Sequence, residues 1–209
     1  RRKERPYQPF ALMSPDLDSI KAYAILTSDE ERLIKSWRKP IVLLKKRHMV
    51  ISELVAPGLD TVGVMLPYTG IQTMLFKRLG EPALVMTSGN KKGLPMATSN
   101  KAAFEELGGI ADYYLLHNRE IVNRCDDSVF RVINGNTAFT RRSRGYVPDP
   151  IDTPLRKGVG IAFGTELRNA AAVATKGKVF MTQYLGDTDN LEGLRFEEEA
   201  IQTMRDLLN

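Results

Sequence analysis

Short apolar runs alternate with amphipathic stretches over the first 147 residues of the chain. An apolar run of a few residues is typical of a strand, and apolar residues spaced three or four apart indicate a helix. The pattern predicts strands in the ranges 9–13, 40–44, 62–66, 82–88 and 113–118. It predicts helices in the ranges 16–24, 28–37, 69–80 and 100–109. Elements in this alternation predict an α/β fold built on a sheet with mixed pairing.

Polar residues and glycines at the ends of the predicted helices set their boundaries. Ser28 and Glu31 have the spacing of a capping box, so the second helix is predicted to begin at Ser28. Asn100 is the predicted N-cap of the fourth helix. Gly80 is predicted to end the third helix, because glycine adopts the left-handed conformation of a C-terminal cap at little cost.

A hairpin is predicted over residues 128–142, at the edge of the sheet. Two β-rich runs flank the pair Asn134-Gly135. A type I′ turn requires positive φ at both of its central residues, which Asn and Gly tolerate best. The pair therefore predicts a two-residue turn between two antiparallel strands.

The pattern changes after this hairpin. Residues 145–158 contain three prolines and no periodicity, which predicts a linker at 148–157 between a first domain, 1–147, and a second unit, 158–209. Strands of a new sheet are predicted in the ranges 158–164, 169–177 and 178–183, and a helix over 191–209. The apolar face of that helix is predicted to consist of Leu194, Ile201, Met204 and Leu208.

Composition and charge indicate which kinds of molecule the protein could bind. The 209 residues are 43% hydrophobic and 26% charged, which is typical of a globular chain with one sizeable core and part of a second. The formal net charge of +5 and the pI near 9.3 favour an anionic partner such as a nucleotide, a phosphate or a nucleic acid.

The remaining composition excludes several classes of protein. Cys125 is the single cysteine, so an internal disulfide is excluded, and two histidines leave little material for a soft-metal cage. No stretch approaches the ~18 apolar residues of a membrane span, and the basic N-terminus lacks the apolar middle of a signal peptide. We expect a cytoplasmic protein without membrane contact. A start without Met suggests a piece excised from a longer chain.

Polar residues follow the predicted strand 82–88 in the stretch MTSGN. If that strand is buried, Thr87, Ser88 and Asn90 lie at a sheet end, where α/β folds usually hold ligands. The stretch 117–128 is dense in arginine and carboxylate residues, and Arg142 in TRRSR is predicted to face the concave side of the sheet. Arginines in such groups can bind phosphate oxygens while a carboxylate holds Mg²⁺ or orients the arginines.

Each candidate group also has a structural interpretation. The stretch 117–128 can be a surface loop of ion pairs that satisfy one another, worth ~0–1 kcal/mol each. Lys3 and Arg5, which share one face of an extended N-terminal segment, can belong to a solvated basic tail. Cys125 is not expected to act as a nucleophile, because nothing in the sequence places a histidine beside it.

Five segments occur in an order and at spacings that resemble the YrdC-like domain of the HypF carbamoyltransferase family. They are KERPYQPFALM, GVMLPYT, LVMTSGN, LLHNREIVNRCDDSVFRV and RRSRGYVPDPI. The segment GTELRNAAAVATKGKVFMTQYLGDTDN resembles the beginning of the next domain in that family, a TsaD-like member of the actin/Hsp70-type ATPase fold. The resemblance implies a YrdC-like twisted sheet with flanking helices and a concave basic cavity, followed by the beginning of an ATPase-like domain.

The resemblance also implies an activity in [NiFe]-hydrogenase maturation. In the family, an upstream acylphosphatase domain releases carbamate from carbamoyl phosphate, and the YrdC-like domain condenses carbamate with ATP to carbamoyl-adenylate and pyrophosphate. The downstream domain then passes the carbamoyl group to the C-terminal cysteine of HypE. Such a condensation needs cations and Mg²⁺ around the phosphates rather than a protein nucleophile.

Residue roles follow from the same resemblance. It implies that Lys3 and Arg5 meet the triphosphate and that Thr87, Ser88 and Asn90 border the adenylate. The residues implied to line or close the cavity are His117, Asn118, Arg119, Arg124, Asp127, Ser128, Arg142 and Arg144. Lys3, Arg5, Arg119 and Asp127 are the expected catalytic residues, and Asp127 is the expected Mg²⁺ ligand.

The chain departs from the family pattern in two places. Relatives usually read LPYTPLHHLL, whereas this chain has Gly70, Ile71 and Gln72 after Thr69, and Tyr184 stands where relatives carry histidine. Relatives also have a strand-helix unit before KERP, and we expect this unit to be missing here. We therefore expect a bare sheet edge, self-association and an incomplete downstream site, and hence nucleotide binding without transfer of a carbamoyl group to a thiol.

Two other functions share these features. A tRNA threonylcarbamoyl-adenylate synthase has the same fold and binds phosphate by the same kind of contacts, but it lacks the GTELRN…LGDTDN segment. A double-stranded-RNA binder would use a basic concave face by shape and phosphate contacts, with binding that depends steeply on salt.

Overall fold

The structure of the chain is a computed structural model that describes residues 2–4, 7–47, 51–154 and 157–208. The helices are α1 (Leu17–Tyr23), α2 (Ser28–Lys35), α3 (Gly70–Leu79), α4 (Asn100–Leu107) and α5 (Leu191–Leu208). The first strands are β1 (Ala11–Met13), β2 (Ala24–Ile25), β3 (Ile41–Lys46), β4 (Thr61–Met65) and β5 (Leu84–Met86). The later strands are β6 (Val129–Ile133), β7 (Asn136–Arg141), β8 (Ile151–Asp152), β9 (Val159–Ala162), β10 (Ala172–Thr175) and β11 (Lys178–Met181).

The described strands β1 to β7 form one mixed sheet in the order β5-β1-β4-β3-β6-β7, with β2 paired to β3. The pairs β1–β4 and β3–β6 are parallel, and the other pairs are antiparallel. Met13, Ile41, Met65 and Phe76 form a buried cluster in which α3 covers the sheet. The predicted mixed α/β fold is confirmed.

The helix ends correct two predicted caps by one residue each. Thr27, not Ser28, is the N-cap of α2, and its capping-box partner is Glu30 rather than Glu31. Ser99, not Asn100, caps α4 by accepting a hydrogen bond from the Ala102 N–H. Both regions contain two adjacent polar residues that could cap, and spacing alone does not decide between them.

Two other turn predictions are confirmed. Gly80 ends α3 in the left-handed conformation, with φ of 67°. Asn134 and Gly135 have φ of 51° and 76°, and they join β6 to β7 as antiparallel neighbours. The hairpin lies at the edge of the sheet, as predicted.

Two predicted strands differ in the structure. Residues 113–118 contain no strand, although their apolar side chains gave a strand-like pattern. The predicted buried strand 82–88 is reduced to β5, a three-residue edge strand. Val85 in β5 is 56% exposed, so this strand is not buried.

The later strands form a second, antiparallel sheet in the order β8-β11-β10-β9. Its strand β8 lies inside the stretch predicted as a linker. Ala171, Leu185, Phe196, Ala200 and Ile201 form a buried cluster between α5 and this sheet. The predicted apolar face of α5 is therefore corrected at Leu194, which is 47% exposed, while Phe196 and Ala200 belong to the buried face. The buried face of α5 is thus covered by residues of the same unit.

The chain divides into two units. The first unit contains the described residues of 1–5, 88–126 and 146–209, and includes α4, α5 and the antiparallel sheet. The second unit contains the described residues of 6–87 and 127–145, and includes the mixed sheet. The predicted boundary at 148–157 remains a prediction. None of the described helices has both the length and the apolar character needed to cross a membrane.

Candidate functional site

A loop of the first unit, residues 88–99, connects β5 to α4 in the chain, and we call it the site loop. It folds back on itself, because the Asn90 N–H donates to the Ser88 carbonyl at 3.1 Å and the Ala97 N–H to the Gly89 carbonyl at 3.1 Å. Ser99 then caps α4. The loop is therefore fixed by its own backbone at both ends.

Lys3 lies against the beginning of the site loop. Its ammonium group donates to the Ser88 carbonyl oxygen at 2.5 Å and to Asn90 Oδ1 at 3.1 Å. Lys3 is only 9% exposed, which is unusual for a lysine. These two oxygen acceptors fix the position of the ammonium group. We call Lys3, Ser88 and Asn90 the ammonium cluster.

Asn90 organises the ammonium cluster. Its Nδ2 donates to the Leu94 carbonyl at 2.6 Å, so its Oδ1 points the other way and accepts from both Lys3 and the Ser88 hydroxyl, the latter at 2.7 Å. The amide orientation follows from these partners, since an amide nitrogen donates and the amide oxygen accepts. An ordered ammonium beside a hydroxyl can bind an anion such as phosphate.

The segment that carries Lys3 is held by a second contact. Arg2 donates two hydrogen bonds to the Asp112 carboxylate, at 2.8 and 3.0 Å. These bonds from Arg2 lower the pKa of Asp112 below its usual value. Arg2 therefore ties the N-terminal segment to the same unit, next to the residue that enters the cluster.

His117, Asn118 and Arg119 lie elsewhere in the first unit. All three are exposed, and they line an open cavity of about 360 Å³ beside the N-terminus of α4. The His117 carbonyl accepts a hydrogen bond from Asn100 Nδ2 at 3.0 Å. The cavity walls also include Thr98, Ser99 and Tyr114. The structure thus brings the three predicted residues to one surface.

Arg124 has partners within the protein. Its Nε donates to the Met96 carbonyl at 2.9 Å, and one terminal nitrogen binds Glu199 at 2.8 Å. Its guanidinium also lies 5.0 Å from the ring centre of Phe196. These contacts join the site loop to α5, and they give Arg124 a structural role that the sequence did not predict.

A different group forms in the second unit around Arg144. The Arg144 Nε donates to Asp127 at 2.6 Å, and its terminal nitrogens donate to the carbonyls of Arg38 and Lys39. Its guanidinium stacks on the Tyr68 ring, with 3.6 Å to the ring centre. Arg144 therefore joins three separate segments of the second unit.

The remaining predicted residues of the second unit are Thr87, Ser128 and Arg142. Ser128 is fully buried, and its hydroxyl donates to the Arg144 carbonyl at 3.0 Å and accepts from the Ser143 N–H at 2.8 Å. Arg142 lies 5.8 Å from the ring centre of Phe139, and Thr87 is exposed after β5. Ser128 thus fastens the two ends of the hairpin, and a contact of these residues with nucleotide remains a prediction.

Two predictions concern parts of the site that the structure does not decide. Arg5 lies outside the described residues. Within 2–4, 7–47, 51–154 and 157–208, no group of three or more His, Cys, Asp or Glu side chains is placed to hold a metal ion. Asp127 pairs with Arg144 at 2.6 Å, and its role as a Mg²⁺ ligand remains a prediction. Convergence of all predicted residues on one nucleotide also remains a prediction.

Sequence reasoning missed several residues that build these groups. Leu94 contributes only its backbone oxygen to Asn90, and every residue type has such an oxygen, so the sequence does not reveal this contact. Glu199 and Phe196 hold Arg124 from 75 and 72 positions away in the chain. Tyr68 was part of the GVMLPYT segment, so a stacking role could have been proposed from that motif.

Comparison with known proteins relates this chain to two families of sequence. A family model described as "Telomere recombination" (Sua5, YciO and YrdC) matches residues 1–143. A second model, described as "HypF Kae1-like domain", matches residues 156–209.

Curated relatives are similar to this chain over its whole length. A probable carbamoyltransferase HypF of Methanocaldococcus jannaschii is 42% identical over 213 residues, which cover 100% of this chain and 27% of the relative. A carbamoyltransferase HypF of Rhizobium leguminosarum bv. viciae is 39% identical over 214 residues, which cover 100% of this chain and 28% of the relative. The chain thus spans little more than a quarter of the length of these relatives.

Solved structures agree in fold. A crystal structure of HypF from T. kodakarensis superposes with a TM-score of 0.96 at 48% identity, covering 100% of this chain and 27% of that chain. Full-length HypF in a phosphate- and nucleotide-bound form superposes with a TM-score of 0.95 at 40% identity, covering 99% of this chain and 33% of that chain. A variant of P. abyssi Sua5, at 23% identity and a TM-score of 0.60 over 68% of this chain and 42% of that chain, shares the fold. These likenesses confirm the predicted YrdC-like fold.

Proposed function

The chain belongs to the Sua5–YciO–YrdC family and is similar over its whole length to HypF carbamoyltransferases, and from this we propose that it binds ATP and activates carbamate as carbamoyl-adenylate. The observation that carries the proposal is the ammonium cluster. A buried lysine is held there by Ser88 and Asn90, at the beginning of a loop that its own hydrogen bonds fix. The nucleotide and phosphate bound by one HypF relative support an anion at such a site.

In the proposed reaction, a carbamate oxygen attacks the α-phosphorus of ATP. The new bond joins that oxygen to phosphorus, and the bond from the α-phosphorus to the bridging oxygen breaks, so pyrophosphate leaves with its electron pair. Negative charge grows on the phosphoryl oxygens and on the leaving group during this step. The ammonium of Lys3 would bind a phosphate oxygen, and its fixed position would stabilise the developing charge without reorganisation.

The neighbouring residues would orient the substrates. The Ser88 hydroxyl and the loop backbone would border the adenylate, and Arg5, Arg119 and Arg142 would bind further phosphate oxygens. Mg²⁺ would be held chiefly by the phosphates, as is usual when a site offers few carboxylates. Arg144 and Asp127 bind each other, and this pair would hold together segments of the second unit.

The wider role is also a proposal, since relatives are far longer than this chain. Carbamoyl phosphate would supply the carbamate, and the C-terminal cysteine of HypE would accept the carbamoyl group. Those steps need a phosphatase and an acceptor site that belong to the rest of such a protein.

Pyrophosphate exchange tests the proposed function. Labelled pyrophosphate would be incubated with the full chain, ATP and one co-substrate: carbamate from ammonium bicarbonate, carbamoyl phosphate, or threonine with bicarbonate. We expect label in ATP with carbamate, because adenylate formation is reversible and returns pyrophosphate to ATP.

The other outcomes identify the alternatives. Exchange that requires threonine would indicate threonylcarbamoyl-adenylate synthesis instead. Salt-dependent binding of double-stranded RNA that ATP does not affect, without exchange for any co-substrate, would indicate an RNA-binding module. Lys3→Met should abolish exchange, whereas Lys101→Met, which removes an exposed lysine from α4, should leave it unchanged.

A further inference from the structure

The site loop is anchored by two residues that lie outside it in the first unit. Arg124 Nε donates to the Met96 carbonyl at 2.9 Å, and Asn190 Nδ2 donates to the Gly93 carbonyl at 3.0 Å. Both acceptors are backbone oxygens between the turn at Asn90 and the N-terminus of α4. The loop is therefore held from outside at its middle as well as by its own hydrogen bonds.

Helix α5 fixes the first anchor. Glu199 on α5 binds the Arg124 guanidinium at 2.8 Å, and the Phe196 ring lies 5.0 Å from it. Phe196 is itself buried in the core of the second sheet. Next to Arg124, the Asn123 side chain accepts a hydrogen bond from Gln183 at 2.8 Å. The region matched by the HypF Kae1-like model thus orients the arginine that holds the loop.

Helix α5 also fixes the second anchor. Asn190 Oδ1 accepts a hydrogen bond from the Gly193 N–H at 2.9 Å, in the first turn of α5. The two ends of the Asn190 amide therefore serve different elements: the oxygen caps α5, and the nitrogen holds Gly93.

We propose that α5 positions the site loop through Arg124 and Asn190, and that these two are positioning residues for the ammonium cluster. Gly93 precedes Leu94, whose carbonyl fixes the amide of Asn90. A shift of the loop at Gly93 or Met96 therefore rotates Asn90, on which Lys3 and the Ser88 hydroxyl both rest. The inference deepens the proposed function, on whose nucleotide site it rests.

The ion pair itself contributes little, because Glu199 is 63% exposed and exposed pairs are weak. The contact with Glu199 matters because it orients Arg124, whose Nε must point at the Met96 carbonyl. A change in α5 would thus reach the cluster without touching it, so the downstream region would control the affinity of the site for nucleotide.

The test uses two substitutions in α5 or at its cap, made in the full chain. Glu199→Gln removes the negative charge that pairs with Arg124, and Glu198→Gln is the matched control, since Glu198 is the exposed neighbour on the same helix. Asn190→Asp keeps an oxygen to cap α5 but replaces the donor to Gly93 with an acceptor. Amide hydrogen exchange of the site loop and ATP affinity are measured for each variant.

In the variant that combines Glu199→Gln with Asn190→Asp, we expect faster amide hydrogen exchange at Leu94 and Ala97. We also expect its ATP affinity to be roughly 2- to 30-fold lower than that of the parent. Glu198→Gln should match the parent in both. When Ser88→Ala and Asn90→Ala are already present, adding Glu199→Gln and Asn190→Asp should no longer change ATP affinity. The reason is that the effect of the two α5 substitutions depends on the Ser88 and Asn90 side chains. A merely stabilising role would instead leave the affinity of the folded protein unchanged in both backgrounds.

Unchanged loop exchange in a folded double variant would overturn the inference, and so would unchanged ATP affinity in a parent that binds ATP. A parent chain without ATP binding would remove the proposed function. Loop exchange would then still decide whether α5 positions the loop.

Discussion

Tyr23 is a buried phenol whose ionisation affects stability. Its hydroxyl lies 2.7 Å from Ser14 Oγ, and both residues are buried. Burial raises the pKa of Tyr23 to about 12, and the hydrogen bond with Ser14 opposes that shift. The folded protein therefore keeps the proton at a pH where the unfolded chain loses it.

The raised pKa predicts a loss of stability at high pH. Below pH ~10 the phenol is protonated in both states, so the stability contribution is complete. Between pH ~10 and 12 only the unfolded chain ionises, which lowers the free energy of unfolding by about 2–3 kcal/mol. Denaturant titrations should show this fall in the parent and its loss in Tyr23→Phe. Tyr7→Phe, which removes an 87% exposed phenol, should retain it.

We expect Ser88 and Asn90 to contribute to nucleotide binding rather than to folding. Ser88→Ala with Asn90→Ala should weaken ATP binding by ~1–3 kcal/mol, because Lys3 and the loop lose side-chain partners that fix them. Isothermal titration measures the affinity, and circular dichroism checks the fold. Thr137→Ala, in the exposed part of the hairpin, is the control. A folded double variant with the parent's affinity would remove the ammonium cluster from the site.

At the scale of elements, substitutions at the N-terminus of α2 test whether Thr27 or Ser28 is the N-cap. The Thr27 hydroxyl accepts from the Glu30 N–H at 3.3 Å, and Glu30 accepts from the Thr27 N–H at 2.7 Å. Thr27→Ala should lower the free energy of unfolding by about 1 kcal/mol. Ser28→Ala should change it little, because Ser28 is already inside the helix and alanine is a better helix former. A larger loss for Ser28→Ala than for Thr27→Ala in thermal unfolding would contradict the assignment.

Sequence patterns predicted elements wherever local chemistry decides the structure. Asn134-Gly135 fixed the hairpin because few residues tolerate positive φ, and Gly80 ended α3 for the same reason. Residues 113–118 have an equally apolar pattern but form no strand, since pairing depends on a neighbour that pattern does not reveal. Leu194 and Phe196 both fit an apolar helix face, and only packing against the second sheet shows that Phe196 is the buried one.

The site was predictable to the extent that its motifs are local. Ser88 and Asn90 lie two residues apart, and the structure brings them to Lys3. Arg124 was expected to line the nucleotide cavity because it matches the signature of the family that the chain resembles. Its partners on α5 and in the site loop are distant in sequence, so its structural role was visible only after folding.

At the scale of the whole molecule, the regions matched by the two family models meet within the first unit. The site loop and Arg124 belong to the region matched by the first model, and α5 to the region matched by the second. Among the described residues, the side chains of five residues form hydrogen bonds between these regions: Arg124, Glu199, Asn123, Gln183 and Asn190. The order of the site loop should therefore depend on the core of the second sheet.

Phe196→Ala tests this dependence in the full chain. Phe196 is 5% exposed and belongs to the core of the second sheet, so its truncation should cost about 3–5 kcal/mol of stability. It also removes the ring beside Arg124, so amide exchange should accelerate at Leu94 and Ala97 as well as in α5. Leu207→Ala, which truncates a 66% exposed side chain on the same helix, should change neither quantity appreciably. Faster exchange confined to α5 and the second sheet in Phe196→Ala, with the site loop as protected as in the parent, would mean that the loop is ordered independently of the downstream region.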